Sequence, residues 1–201
     1  MAEAGKKITW QGLFVWSVAM LFYFYECFLR VYPSTIADNL VYSLNITVEE
    51  FAGIGSAYFI IYAIMQIPAS FVLNRFGARN VLSISCLFCT AGILWFAMAH
   101  SLTAAICGRF LMGFGSSFVF IAILMLTLNW FPKKHFGFFV GLSQFLGSIG
   151  PLCAGVPFAI LLLKFNNNWH LLCLLLALFG FLLTLLLFLF IRNRPPKQHR
   201  I

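Results

Sequence analysis

Residues 171–191 read LLCLLLALFGFLLTLLLFLFI, an unbroken apolar run in which Thr184 is the one side chain with a hydroxyl. As an α-helix this run would be about 31 Å long at 1.5 Å per residue, enough to cross the roughly 30 Å hydrocarbon core of a bilayer. It shows no period of two, as a barrel strand would, so a membrane-spanning helix is the reading. Working back towards the N-terminus, five more runs of comparable length appear, near residues 13–31, 51–73, 81–99, 103–130 and 138–163, with residues 169–191 forming the sixth. Composition agrees: 62% of the 201 residues are hydrophobic and only 9% charged, against about 25% charged in a soluble domain. Irregular chain cannot face lipid, so six helices joined by short loops are expected.

The charges that remain fix a direction. Lys6 and Lys7 precede the first span, Arg75 and Arg79 lie between the second and third, and Lys133 and Lys134 between the fourth and fifth. Arg192, Arg194, Lys197 and Arg200 follow the sixth. The opposite side carries Lys164 with Asp38, Glu49 and Glu50. The positive-inside rule then puts both termini in the cytoplasm. This asymmetry accounts for the net charge of +8 and argues against a nucleic-acid partner, because the basic residues are scattered over four membrane-flanking segments. The first run is longer than the 7–15 apolar residues of a typical signal peptide and has no small-x-small cleavage site before Pro33, so it is expected to be a retained span. All six cysteines (27, 86, 89, 107, 153 and 173) fall within apolar runs. The pair Cys86 and Cys89 puts two small side chains on one helix face, and no metal site is expected.

Charged side chains inside the runs are costly and therefore informative. There are three: Glu26, Arg30 and Arg109. Each costs about 2.5–3.5 kcal/mol at a helix centre unless paired or hydrated. Glu26 and Arg30 stand four apart with the acid first, the favourable order for a helix pair, and Tyr23 shares their face. Tyr58, Tyr62 and Gln66 form a stripe on the second span, and Gln144 and Ser148 another on the fifth. Spans one, two, four and five are thus expected to surround a polar interior, with three and six turned to lipid. The plainer alternatives are interfacial anchoring or ordinary packing for the tyrosines and, for Arg30, snorkelling, since it lies about 30 Å along the helix from Trp10. An enzyme would need a nucleophile with a base, paired aspartates or a metal cluster at membrane depth. No run holds an aspartate, and none a central histidine.

Three segments together resemble one family. Residues 70–80, SFVLNRFGARN, are similar to the major facilitator superfamily (MFS) signature between helices two and three, G-x-x-x-D-R-x-G-R-R. Residues 109–117, RFLMGFGSS, resemble its R-x-x-x-G-x-G pattern on helix four. Residues 147–155, GSIGPLCAG, resemble its G-x-x-x-G-P-x-x-x-G pattern on helix five. Residues 28–34, FLRVYPS, also resemble a branch labelled as organic-anion transporters. The resemblance covers essentially the whole chain and implies an all-α membrane fold of six helices, built as two inverted three-helix repeats, with both termini cytoplasmic. Arg30 and Arg109 do not occupy equivalent places in those repeats. Residues 1–191 would be the N-terminal half, and 192–201 (RNRPPKQHR to Arg200) the start of the loop joining the halves.

What the resemblance implies about mechanism follows residue by residue. Gly77 would make the tight turn, with Arg75 and Arg79 holding helix ends. Ser70, Asn74 and Ala78 stand where the family has glycine, an acid and a base, so the latch between halves would be weaker or would rest on hydrogen bonds alone. Gly113, Gly115, Gly147, Gly150 and Gly155 would permit close helix approach, and Pro151 would bend span five. The expected function is secondary transport of a small polar, anionic solute by alternating access, in a bacterial inner membrane, with a C-terminal half or a second copy as partner. Tyr23, Glu26, Arg30, Tyr58, Tyr62, Gln66, Arg109 and Gln144 are the expected solute-binding set. No cofactor is expected beyond a coupling proton or cation, for which Glu26 is the candidate. The alternative is a half-size or truncated protein that self-assembles or is inactive.

Overall fold

In a computed structural model, residues 8–193 are described, and they are almost entirely helical. Helix α1 is Trp10–Thr35, α2 Ala37–Leu44, α3 Val48–Ala97, α4 Leu102–Ser116 and α5 Val119–Trp130. Helix α6 is Phe136–Ala154, α7 Val156–Lys164 and α8 Trp169–Phe190. Caps mark the starts. Thr47 and Glu50 close a reciprocal capping box at α3 (2.8 and 3.2 Å), Ser101 caps α4, and Asn168 caps α8. Lys6, Lys7, Arg194, Lys197 and Arg200, on which part of the charge asymmetry rests, lie outside the described residues.

By length and hydropathy, five helical stretches among the described residues qualify as membrane spans, because α3 runs through what the sequence suggested was a loop at 70–80. Only Gly77 departs from helical geometry there (φ 77°, ψ 159°). The chain nevertheless folds back at that residue. Gly113 of α4 packs on the backbone of Tyr58, and Gly115, two residues on, packs on Ser85 and Cys89. In a straight helix residues 58 and 89 would be about 46 Å apart. Both arms of α3 therefore lie beside α4, so the described residues form six long helical arms, with α4–α5 and α6–α7 each making one.

Small residues set the close approaches, as expected where lipid removes any hydrophobic drive between helices. A methyl on Gly92 would sit 2.8 Å from the Gly108 carbonyl, and one on Gly108 would sit 2.9 Å from the Gly92 carbonyl. Gly150 does the same against α1 at the Phe24 carbonyl (2.6 Å) and the Phe28 amide (2.9 Å). Gly147 instead makes room for the Tyr23 ring. Gly155 departs from expectation: among the described residues nothing outside its own turn is near it, and it marks the break between α6 and α7. Pro151 lies one turn before this break, and Thr35 Oγ1 donates to the Ala154 carbonyl at 2.6 Å.

Span three also differs from the lipid-facing role expected of it. Leu82, Cys86, Cys89, Ile93 and Phe96 are fully buried against α4 and α8, while Ile84, Leu87 and Trp95 point outward. Span six follows expectation more closely. It buries Leu172, Cys173, Ala177, Gly180 and Leu187 and exposes the leucines and phenylalanines on its other side. Gly180 is needed because the Tyr25 hydroxyl and Thr90 Oγ1 would each lie 2.5 Å from a methyl there.

Candidate functional site

The intramembrane charges meet on α1. Glu26 is fully buried, and its Oε1 accepts from Arg30, one turn later, and from the Tyr58 hydroxyl at 3.0 Å. Its Oε2 accepts from the Cys27 thiol at 3.2 Å. Three donors around one carboxylate offset the cost of holding it away from water. Arg30 does not simply snorkel. Its side chain remains 29% exposed, but its guanidinium pairs with Glu26 and lies 4.9 Å above the Tyr62 ring. Tyr58 and Tyr62 stack nearly parallel (centroids 6.2 Å, planes 11° apart), which explains their spacing of four on α3.

Arg109 is placed differently from Arg30. It is only 1% exposed, and it reaches from α4 to α1, where Nη1 donates to the Leu29 carbonyl at 2.7 Å and Nη2 to the Arg30 carbonyl at 3.3 Å. Its guanidinium also lies 4.5 Å over the Tyr58 ring. Pro33 is the reason the first of these carbonyls is available. Proline has no N–H, so the Leu29 carbonyl four residues earlier loses its helical donor, and the ring pushes the chain away at that turn. Arg109 fills the vacated position. With one carboxylate and two guanidinium groups, the cluster carries a formal charge of +1. The Nε atoms of Arg30 and Arg109 are buried without an acceptor among the described residues.

Span five joins through Tyr23, whose hydroxyl donates to Gln144 Oε1 at 2.6 Å and whose ring stacks on Phe120 of α5 (5.8 Å). Gln144 is exposed, as is Ser148, whose hydroxyl bonds back to the Gln144 carbonyl at 2.9 Å. Tyr62 and Gln66 are half-buried on α3. Of the eight expected solute-binding residues, Glu26, Arg30, Tyr58, Tyr62 and Arg109 are joined by contacts across spans one, two and four; Tyr23 and Gln144 pair between spans one and five, and Gln66 lies one turn beyond Tyr62.

At the basic end of the bundle, Arg79 donates from Nε (3.1 Å) and Nη2 (2.8 Å) to the Phe188 carbonyl, one of the last and otherwise unpaired acceptors of α8. Arg75 is exposed over the Phe76 ring (5.6 Å), and Ser70 and Asn74 are exposed too. Sequence reading missed Asn193 here, as well as the role of Pro33 in creating the acceptor for Arg109. The four-residue interval from Leu29 to Pro33 was the available signal for the latter. Among the described residues, no group of histidine, cysteine and acidic side chains is arranged to hold a metal.

The family model of the Major Facilitator Superfamily matches residues 13–201. This chain belongs to the Major Facilitator Superfamily. MFS relatives include a probable sulfoacetate transporter of Cupriavidus necator, 25% identical over 184 residues, which cover 92% of this chain and 42% of that protein. Another is a quinolone resistance transporter of Acinetobacter baumannii, 31% identical over 153 residues, 72% of this chain and 35% of that one. Further relatives are named for galactarate and glucarate, for tartrate and for nitrite extrusion. Among solved structures, a bacterial homologue of the human lysosomal transporter Spinster matches with a TM-score of 0.82 at 16% identity, covering 94% of this chain and 46% of that one, which supports the MFS fold. The chain thus spans less than half the length of these relatives. It is an integral, multi-pass membrane protein, and its relatives and fold are those of transporters rather than enzymes.

Proposed function

We propose that this MFS chain supplies one six-helix half of a secondary transporter for a small anionic solute, working by alternating access. The observation that carries the reading is the cluster on α1: one fully buried carboxylate, and a partly open guanidinium that it holds beside Tyr62. The net positive charge of Glu26, Arg30 and Arg109 favours an anion, and relatives named for sulfoacetate, tartrate and glucarate support that class. Glu26 and the solute would compete for Arg30. A proton on Glu26 removes the internal competitor and frees the guanidinium, which couples solute entry to proton entry. Tyr23, Gln144, Tyr62 and Gln66 would then orient the solute by hydrogen bonds. Arg109, already committed to the carbonyls of Leu29 and Arg30, would shape the site by holding α1 and add to its positive potential rather than touch the solute.

The setting that goes with this reading is two inverted three-helix repeats, both termini cytoplasmic, in a bacterial inner membrane. The exposed polar face of Gln144, Ser148 and Arg30 would look towards a C-terminal six-helix half or a second copy of this chain. Residues 192–201 would begin the connection. A second reading is a half-size protein that self-assembles or is inactive. Mass measurement and crosslinking in detergent separate the two, since a homodimer supports the second. The transport reading is tested by uptake of labelled sulfoacetate and tartrate into proteoliposomes. Arg30→Gln is expected to abolish uptake, and Glu26→Gln to uncouple it from the proton gradient. Uptake by Glu26→Gln that keeps its normal dependence on the gradient would rule out the coupling role.

A further inference from the structure

The turn at Gly77 starts a new helical arm, and the first N–H groups of any helix lack intrahelical acceptors. A side chain at the position before the first helical residue usually satisfies one of them, with asparagine, aspartate and serine the best. Gly77 occupies that position and has no side chain. The amide of Arg79, the second residue of the new arm, donates instead to Asn193 Oδ1 at 2.7 Å, across 114 residues of chain. Asn193 is thus a helix cap supplied in trans, and it is seated against Gly77: a methyl there would lie 2.5 Å from Asn193 Nδ2 and 2.9 Å from its Cγ.

Asn193 is itself held in place. Its carbonyl accepts from Asn129 Nδ2 at 3.2 Å, and the preceding Arg192 carbonyl accepts from Trp130 Nε1 at 2.9 Å, both at the end of α5. Trp130 in turn fills the space over Gly12 at the start of α1, where a methyl would lie 3.2 Å from the indole ring. The Phe188 carbonyl, five residues before Asn193, takes the Arg79 guanidinium, which also lies 5.1 Å over the Phe188 ring. Arg79 therefore engages the exit of α8 with both its side chain and its backbone. Each polar contact joins a helix terminus to a different crossing.

We infer that Asn193 is a positioning residue. It caps the second arm of α3 in trans and, with the Arg192 carbonyl, straps the exit of α8 to the Gly77 turn and the end of α5, so that these three ends move as one body. The strap bears directly on Asn74, three residues before Gly77 and exposed on the same turn. Asn74 and Ala78 have no charges with which to hold this end. The strap provides the rigidity through neutral hydrogen bonds, and Asn74 keeps a fixed height and direction for whatever packs on that end of the bundle.

Hydrogen–deuterium exchange on the 201-residue chain in nanodiscs reads the cap directly, in peptides covering residues 78–82 against peptides from the buried part of α3. Asn193→Ala is expected to speed exchange at Arg79 about tenfold, the ratio matching a typical helix cap, while the interior of α3 is unchanged. Asn193→Asp keeps an oxygen acceptor and is expected to stay within about twofold of the parent, a rescue that follows from a cap and not from mere packing. Trp130→Phe removes the indole donor but keeps a ring over Gly12; it is expected to loosen the same amide several-fold and decides the matter if Asn193→Ala fails to assemble. Unchanged exchange at Arg79 in Asn193→Ala, or exchange in Asn193→Asp as fast as in Asn193→Ala, would overturn the inference. If only Trp130→Phe can be measured, unchanged exchange there overturns it equally.

Discussion

Replacing Arg109 by methionine would remove the donors that reach from α4 to α1 while keeping a long apolar stem. In the parent, Nη1 satisfies the Leu29 carbonyl at 2.7 Å, an acceptor that Pro33 leaves without its helical N–H. In a Pro33→Ala background the new backbone amide can bond that carbonyl again, so removing Arg109 should matter less. The single substitution mixes opposing effects: a lost charged hydrogen bond and a lost ring contact destabilise, while removing a buried charge relieves desolvation. A double-mutant cycle cancels whatever is common to both backgrounds and isolates the dependence on Pro33. Hydrogen bonds between membrane helices measured by such cycles average about 0.6 kcal/mol and reach about 1.7. The short distance, full burial and charged donor put this one towards the upper end, about 1 to 1.7 kcal/mol. The assay is reversible unfolding of the four variants in mixed micelles, followed by the loss of helical circular dichroism. The expected outcome is that Arg109→Met is more damaging with Pro33 present than in the Pro33→Ala background, by about that amount. Additive effects, with coupling below about 0.3 kcal/mol, would refute the idea that Arg109 answers the gap left by Pro33.

Gly108→Ala should destabilise by about 1–3 kcal/mol, because the new methyl meets the Gly92 carbonyl at 2.9 Å and the Phe96 amide at 3.0 Å, both backbone atoms that cannot turn aside. Gly141→Ala, with open space around it, should be neutral or stabilising by up to about 1 kcal/mol; thermal denaturation in detergent compares the two. Gly77→Ala should cost about 1–3 kcal/mol for its backbone conformation alone, and part of any further loss should return in Asn193→Gly, which clears the colliding side chain. Orientation is checked by labelling single cysteines with a membrane-impermeant maleimide in oriented vesicles. Lys134→Cys should react from the cytoplasmic side and Asn167→Cys from the other, and the reverse pattern would overturn the assigned direction.

The crossings and the contacts made by side chains alone were readable from sequence, since hydropathy and spacing encode both. Glu26 and Arg30 meet because a step of four stacks them on one helix face, and Gly113 and Gly150 meet backbone because a missing side chain signals close approach. Contacts to backbone carbonyls were less legible, since an acceptor of that kind can belong to any residue. Arg109 was therefore expected to face a solute, although its partners are the carbonyls of Leu29 and Arg30. Asn193 was read as part of a basic tail because nothing local marks an asparagine as the cap of a helix 114 residues earlier. Span three was misjudged for a related reason. Its polar residues are small and scattered, so the sequence resembles a lipid-facing helix although Cys86 and Cys89 bond to neighbouring helices.

Competition between Glu26 and an anionic solute for Arg30 is the core of the proposed mechanism. Equilibrium binding of labelled sulfoacetate to the chain in nanodiscs probes that competition without relying on transport. Removing the charge of Glu26 releases Arg30, so Glu26→Gln should bind more tightly than the parent, and Arg30→Gln should not bind. Affinity that is indifferent to Arg30→Gln, or that falls in Glu26→Gln, would contradict the competition.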